Sequence, residues 1–290
     1  MSQKIGLVLE GGGMRGSYTA GVLDGMIDAG IVFPYCIGVS AGACNALSYI
    51  AKQRGRYYHA VTDYLRDKRY MGWYSLMKTG YFFGNRFVFD DIAYDLVPLD
   101  FAGLERELPN WELRVVTTDC LTGKPCYDRI TELSELPLVE GSSSLPLVSP
   151  VLHYRGRLLM DGGVSDSIPI RRAEEDGCEK NVVILTRDAS YRKNPSRTAS
   201  LVRLRYPRYP KLAEALARRH EEYNRALAEV LEREKAGAAF VIRPGEPVAI
   251  GRMERDVQKI TALYESGLRD IRAMLPALRQ FLAEQPVSVI

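Results

Sequence analysis

An α/β fold built on a mostly parallel central sheet is the architecture this 290-residue sequence predicts, and three observations carry it. Two short uninterrupted apolar runs, residues 5–9 (IGLVL) and 35–39 (YCIGV), read as strands buried on both faces. Each runs into a turn containing glycine or serine. Each turn opens a segment with apolar side chains at helical spacing, residues 17–29 and 41–53. Strand, turn and helix repeated in this order is the pattern of parallel strands joined by helical crossovers. Farther along, strands are expected at 113–118, 158–160, 182–186 and 240–242, with a short helix at 171–177. Residues 211–236, rich in Ala, Leu, Arg and Glu, read as one long helix. A second long helical pattern covers 253–281, and Gly267 and Pro276 are expected to interrupt it. The polar, basic, proline-bearing stretch 190–210 is the only candidate boundary.

Composition narrows the class. Apolar residues make up 46% and charged residues 26%, which is ordinary for a globular protein with a substantial core. A net charge of +3 and the lack of a nucleic-acid motif argue against a nucleic-acid partner. Five cysteines, an odd number without C-x-x-C spacing, predict neither a disulfide framework nor a zinc site. A reducing cytoplasmic setting fits them. The opening MSQKIGLVLEGGG does not read as a signal peptide, because its apolar run is short and ends at Glu10. No run approaches the ~20 apolar residues of a membrane span. No metal or cofactor is expected.

Three stretches carry chemistry. GGGMRG, Gly11 to Gly16, follows the first strand and precedes a helix. Backbone amides of such a loop suit either a phosphate or an oxyanion. Nucleotide binding fails on detail: Ser17 stands where a Walker lysine belongs, and no acidic residue ends the second strand to hold a ribose. GVSAG, Gly38 to Gly42, has the G-x-S-x-G spacing of a nucleophile elbow, with Ser40 on the turn between strand and helix. LLMDGGVSDSIP, residues 158–169, places Asp161 after an apolar run and before two glycines, where it suits either a turn or a base. The chain has three histidines. Only His220 follows the serine–acid–histidine order, and its neighbours Arg218, Arg219, Glu221 and Glu222 predict a solvated helix face. Ser40 is therefore a candidate nucleophile without a histidine, and a desolvated carboxylate can serve as its base.

Taken together, LEGGGMRGSYTAGVL, GVSAGA and SSSLPLVSPVLHYRGRLLMDGGVSDSIPI resemble the oxyanion segment, the nucleophile elbow and the D-G-G segment of the patatin-like phospholipase family. The resemblance covers roughly residues 4–190, and the stretch RMERDVQKITALYESGLRD resembles the extension of a bacterial subgroup. It implies a three-layer α/β/α sandwich of patatin type, with a catalytic domain over 1–190 and a C-terminal helical extension over 191–290 packed on it. It also implies Ser40 as nucleophile and Asp161 as base of a dyad. Gly11, Gly12, Gly13, Met14 and Arg15 would form the oxyanion loop, and Gly38 and Gly42 would flank the elbow. The implied activity is hydrolysis of a lipid acyl ester of phospholipase A type. The alternatives are a broad carboxylesterase, thioesterase or acyltransferase with the same dyad, or a non-catalytic lipid-binding protein.

Residues 70–89, rich in aromatics and Met, suit either the wall of an acyl pocket, a lipid-facing lid or ordinary packing. Residues 190–219 hold nine Lys or Arg and one acidic residue, Glu214. That imbalance suits either weak peripheral contact with anionic membranes or a solvated basic loop and helix.

Overall fold

A computed structural model describes residues 4–283. Residues 1–3, which begin the stretch read as lacking a signal peptide, and 284–290, the end of the C-terminal segment, lie outside the described residues. The strands are β1 (Ile5–Leu9), β2 (Tyr35–Val39), β3 (Glu112–Asp119), β4 (Pro125–Ile130), β5 (Leu152–Tyr154), β6 (Arg157–Asp161), β7 (Lys180–Ile184) and β8 (Ala239–Ile242). The helices are α1 (Gly16–Asp28), α2 (Ala41–Ile50), α3 (Arg56–Thr62), α4 (Trp73–Thr79), α5 (Phe101–Glu107), α6 (Pro137–Ser143), α7 (Ile170–Glu175), α8 (Ala199–Arg205), α9 (Pro210–Lys235) and α10 (Val257–Ala283). The segment Phe87–Leu96 winds as a π-helix.

The strands form one mixed sheet in the order β5-β6-β3-β2-β1-β7-β8, with β4 also on β3. The ladders β3-β2-β1-β7-β8 are parallel, as the strand–turn–helix pattern predicts. The β3–β4, β3–β6 and β5–β6 ladders are antiparallel. Alternation along the strands separates two cores. Leu7, Leu9, Cys36, Leu113 and Val115 face α1, α2 and α10, whereas Val8, Ile37, Val39, Val116 and Val183 face α7 and α9. Helices thus cover both faces, which gives the expected α/β/α layering.

Helix α10 corrects one expectation. It runs unbroken through both Gly267 and Pro276. The cost of an internal proline, about 3 kcal/mol, is offset by burial of Ile271, Leu278 and Phe281 in the main core. Gly267 is there because α10 crosses α1 at backbone contact. A Cβ at Gly267 would lie 2.2 Å from the Tyr18 carbonyl oxygen, and one at Gly21 would lie 2.1 Å from that of Tyr264. Two hydrogen bonds flank the crossing: Tyr18 Oη donates to Asp270 at 2.8 Å and Tyr264 Oη to Asp24 at 2.7 Å. Helix propensity alone would make Gly267→Ala stabilising by about 1 kcal/mol. The clash reverses that sign, since overpacking costs roughly 1–3 kcal/mol. Urea unfolding of Gly267→Ala should give a lower midpoint at an unchanged m value. A raised midpoint would show that the two helices do not touch there.

Candidate active site

The sheet register brings the chemistry-bearing residues together. Val39, the last residue of β2, pairs with Val116 of β3, and Thr117 next to it pairs with Asp161 at the end of β6. Ser40 and Asp161 therefore leave neighbouring strands at the same level, although 121 residues separate them in the chain. The Gly-rich loop leaves β1, whose Leu9 pairs with Gly38. Three connections that are distant in sequence converge at one edge of the sheet.

Ser40 sits at φ 54° and ψ −122°, a left-handed conformation that is rare outside glycine. Holding it costs on the order of 1–3 kcal/mol, so neighbouring contacts must enforce it. The Ser40 N–H donates to Ser142 Oγ at 2.8 Å, and Ser142 Oγ donates to the Val116 carbonyl at 2.6 Å. Space is equally restrictive. A Cβ at Gly42 would meet the Leu9 carbonyl oxygen at 2.6 Å, and one at Gly11 would lie 3.4 Å from Ser40 Cβ. The Gly-rich loop and the elbow are thus in direct contact.

Asp161 is buried, at 2% exposure. Its Oδ1 accepts the Gly163 N–H at 2.7 Å, its N–H donates to the Ser144 carbonyl at 2.8 Å, and its carbonyl accepts Thr118 Oγ1 at 2.8 Å. The SSS segment at 142–144 therefore ties both members of the candidate pair, Ser142 to Ser40 and Ser144 to Asp161. Burial pushes the Asp161 carboxyl above the usual carboxylate range. The charges of Arg219 and Arg252 oppose the rise, as do the hydrogen bond from the Gly163 amide and the nearby Ser40 hydroxyl. The histidines have other partners or positions. His59 pairs with Asp63 at 3.2 Å, His220 Nδ1 bonds the Ala217 carbonyl at 3.0 Å, and His153 is exposed on β5.

Two expectations need correction here. Met14 lies in the expected loop, but its N–H is not free as a donor, being given to the Arg252 carbonyl at 3.0 Å. The Gly12 and Gly13 N–H groups have no acceptor among the described residues. Gly13 is at φ 58°, and a Cβ there would meet the Arg252 carbonyl oxygen at 2.5 Å. The second correction concerns Arg219, read from sequence as part of a solvated helix face. It is 9% exposed, and its guanidinium lies against Gly163, where a Cβ would approach Nη2 at 2.9 Å. Burial, with Arg252 nearby, pushes the Arg219 guanidinium down to about 9.

Arg219 belongs to a cationic cluster that sequence reasoning missed. Arg15 is buried, and burial together with the charge of Arg187 lowers it to about 10. Lys193 lies over the Tyr223 ring at 3.9 Å, and burial and Arg219 push its ammonium well below the usual lysine range. The carboxylate among them is Glu10, which accepts Thr186 N–H at 2.6 Å and Tyr223 Oη at 2.9 Å. A charge set among charged neighbours gives no sign of facing inward, so only the fold could reveal this cluster. Positive potential of this kind favours an anion beside Ser40.

A cavity of about 430 Å3 opens from Ser40. Its walls are largely apolar, with Leu47, Val61, Tyr70, Phe83, Ile92 and Val148 among them, and Arg252 and Met253 at one end. The 70–89 stretch thus contributes pocket wall through Tyr70, Phe83, Val88 and Phe89, while the π-helix supplies the adjoining side. All five cysteines are free thiols, and among the described residues no cluster of His, Cys, Asp and Glu is arranged to hold a metal.

The uncharacterized protein YjjU of Escherichia coli is 29% identical over 200 residues, covering 63% of this chain and 52% of that protein. An uncharacterized NTE family protein of Mycobacterium bovis is 28% identical over 180 residues, covering 60% of this chain and 29% of the relative. The chain thus spans about half the length of the first relative and less than a third of the second. The crystal structure of VipD from Legionella pneumophila aligns over 95% of this chain and 67% of that one, with a TM-score of 0.47 and 13% identity. A domain of unknown function matches residues 209–283. The model described as patatin-like phospholipase matches residues 7–174, more than half of the chain, and the chain therefore belongs to the patatin-like phospholipase family.

Proposed function

We propose that this protein hydrolyses acyl esters of lipids, of phospholipase A or lipid acyl hydrolase type, through a Ser40–Asp161 dyad. The observation that carries the reading is the strained elbow at Ser40 beside a buried carboxylate, at the end of an apolar cavity. In the first half-reaction Ser40 Oγ attacks the ester carbonyl carbon while Asp161 takes its proton. The carbonyl π pair moves to oxygen, where the free amides of Gly12 and Gly13 and the nearby cations favour the charge. Collapse expels the alcohol, which takes the proton back from Asp161 and leaves an acyl-Ser40 ester. A water molecule repeats the sequence and releases the carboxylic acid. Negative charge moves from Asp161 to the oxyanion and back, so the cationic surroundings serve both stages. The apolar cavity is suited to the acyl chain.

Ser40→Ala and Asp161→Asn should each lower kcat on a short soluble acyl ester by a factor on the order of 10⁴, with the double variant little worse, because the two act as one unit. Near-normal kcat in Asp161→Asn would remove it from the mechanism.

The loop has its own readout. Gly13→Ala introduces strain at positive φ and a clash with the Arg252 carbonyl, and should reduce kcat about 10²–10³-fold. Wild-type kcat in that variant would exclude Gly13 as a donor.

The pH profile follows from the raised Asp161 carboxyl. A base acts only when ionised, so kcat/KM should fall as pH drops through a value above the ~3.9 of an ordinary Asp. Arg219 favours the ionised form, so Arg219→Met should move this acid limb to higher pH and Arg219→Lys should restore it. An unmoved limb in Arg219→Met would confine Arg219 to packing.

A further inference from the structure

We propose that α4 and α8 together form the face by which this protein docks on an anionic lipid bilayer. The inference rests on the lipid acyl hydrolase reading for its purpose, but its evidence is separate. Monomers scatter large exposed apolar side chains singly. Here they come in pairs on two short helices: Trp73 and Met77, one turn apart, are 76% and 78% exposed, and Leu201 and Leu204 are 52% and 78% exposed. No acidic residue occurs in 71–89 or in 189–213. Exposed Lys78, Arg203, Arg205 and Arg208 stand among these apolar side chains. Apolar and aromatic groups interleaved with an excess of cations match the interface of an anionic bilayer, where cations meet phosphates and apolar groups enter the headgroup layer. Among the described residues no helix is long and apolar enough to cross a membrane, so the contact is peripheral.

The segments that follow α4 and α8 meet, and both are tied to the acyl cavity. Tyr81, just past α4, shares a cleft of about 340 Å3 with Arg205, Tyr206 and Tyr209 at the end of α8. The loop 145–149 bridges them: the Phe83 N–H donates to the Val148 carbonyl at 3.0 Å, and the Leu147 N–H donates to Tyr206 Oη at 3.2 Å. Leu145, Val148 and Ser149 of that loop line the cavity beside Ser40. A bilayer resting on α4 and α8 would therefore lie next to the cavity wall. The structure also narrows the basic stretch read from sequence, because Lys193 and Arg219 belong to the internal cationic cluster and Tyr206 is buried. Of the exposed basic residues in the stretch, Arg203, Arg205 and Arg208 lie on α8 and the turn after it, with Arg192, Arg197, Lys211 and Arg218 on either side.

The chain carries its own reporter, since Trp111, its other tryptophan, is 4% exposed. Full-length Ser40→Ala protein, incapable of turnover on the proposed mechanism, is mixed with vesicles of phosphatidylglycerol and phosphatidylcholine or of phosphatidylcholine alone. The expected result is a blue shift of tryptophan emission and co-sedimentation with the anionic vesicles only, both weakening as salt rises. Replacing Arg203, Arg205 and Arg208 by Gln should weaken partitioning on the order of 100-fold, at roughly fivefold per basic residue. Met77→Glu with Leu204→Glu should abolish the blue shift. In the Ser40 background both variants should leave hydrolysis of a short soluble ester unchanged, so failure of the hydrolase reading is scored separately. Equal binding to neutral vesicles, binding without a blue shift, or binding untouched by the substitutions would overturn the proposal. So would a vesicle-free dimer that Met77→Glu dissociates, which would assign the face to a second copy of the chain.

Discussion

The backbone of Ser40 is the constraint on which the rest of the site depends. A serine at φ 54° persists only where its surroundings leave no relaxed alternative. Those surroundings are drawn from three separate parts of the chain. The start of α2 presses on the end of β1 through Gly42, the Gly-rich loop lies against Ser40 through Gly11, and Ser142 pins the Ser40 amide to β3. The contact at Gly42 is made at a distance that only a missing Cβ allows, and the one at Ser142 uses a small hydroxyl. A strained turn assembled in this way holds the hydroxyl in a fixed position before any substrate arrives, which is the preorganisation that the proposed acyl transfer needs.

Electrostatics then sets what the fixed hydroxyl can do. Asp161 in an apolar interior would be protonated and useless as a base, and in bulk water it would be a weak one. Burial raises its proton affinity while Arg219 and Arg252 hold the rise in check. Both arginines come from outside the region matched by the patatin model. The C-terminal segment also supplies β8 to the sheet and α10 to the main core. The same segment that completes the fold thus contributes charge to the site, and the Arg252 carbonyl ties it to the Gly-rich loop through the Met14 amide.

Local patterns reported much of this architecture correctly because they depend on neighbours in sequence. The apolar runs of β1 and β2, the helical period of α1, α2 and α9, and the glycine spacing around Ser40 are such patterns. The reading failed where local propensity met a tertiary contact. Gly267 and Pro276 would end an isolated helix, yet α10 continues because close approach to α1 and core burial outweigh them. Met14 shares its motif with donors, but its amide is taken by a carbonyl more than two hundred residues away.

By itself the sequence determined which residue types could do the chemistry: a serine at an elbow, a carboxylate before two glycines, a glycine-rich loop, and a single histidine in triad order set among charges. Only the tertiary structure decided which of them meet. The antiparallel β3–β6 register sets Asp161 beside the Ser40 turn, and no spacing rule in the chain encodes that register. The inward turn of Arg15, Lys193 and Arg219 was hidden for a related reason. Whether a charged side chain is solvated or buried depends on what packs over it, and that is a property of distant segments brought together, not of the residues beside it.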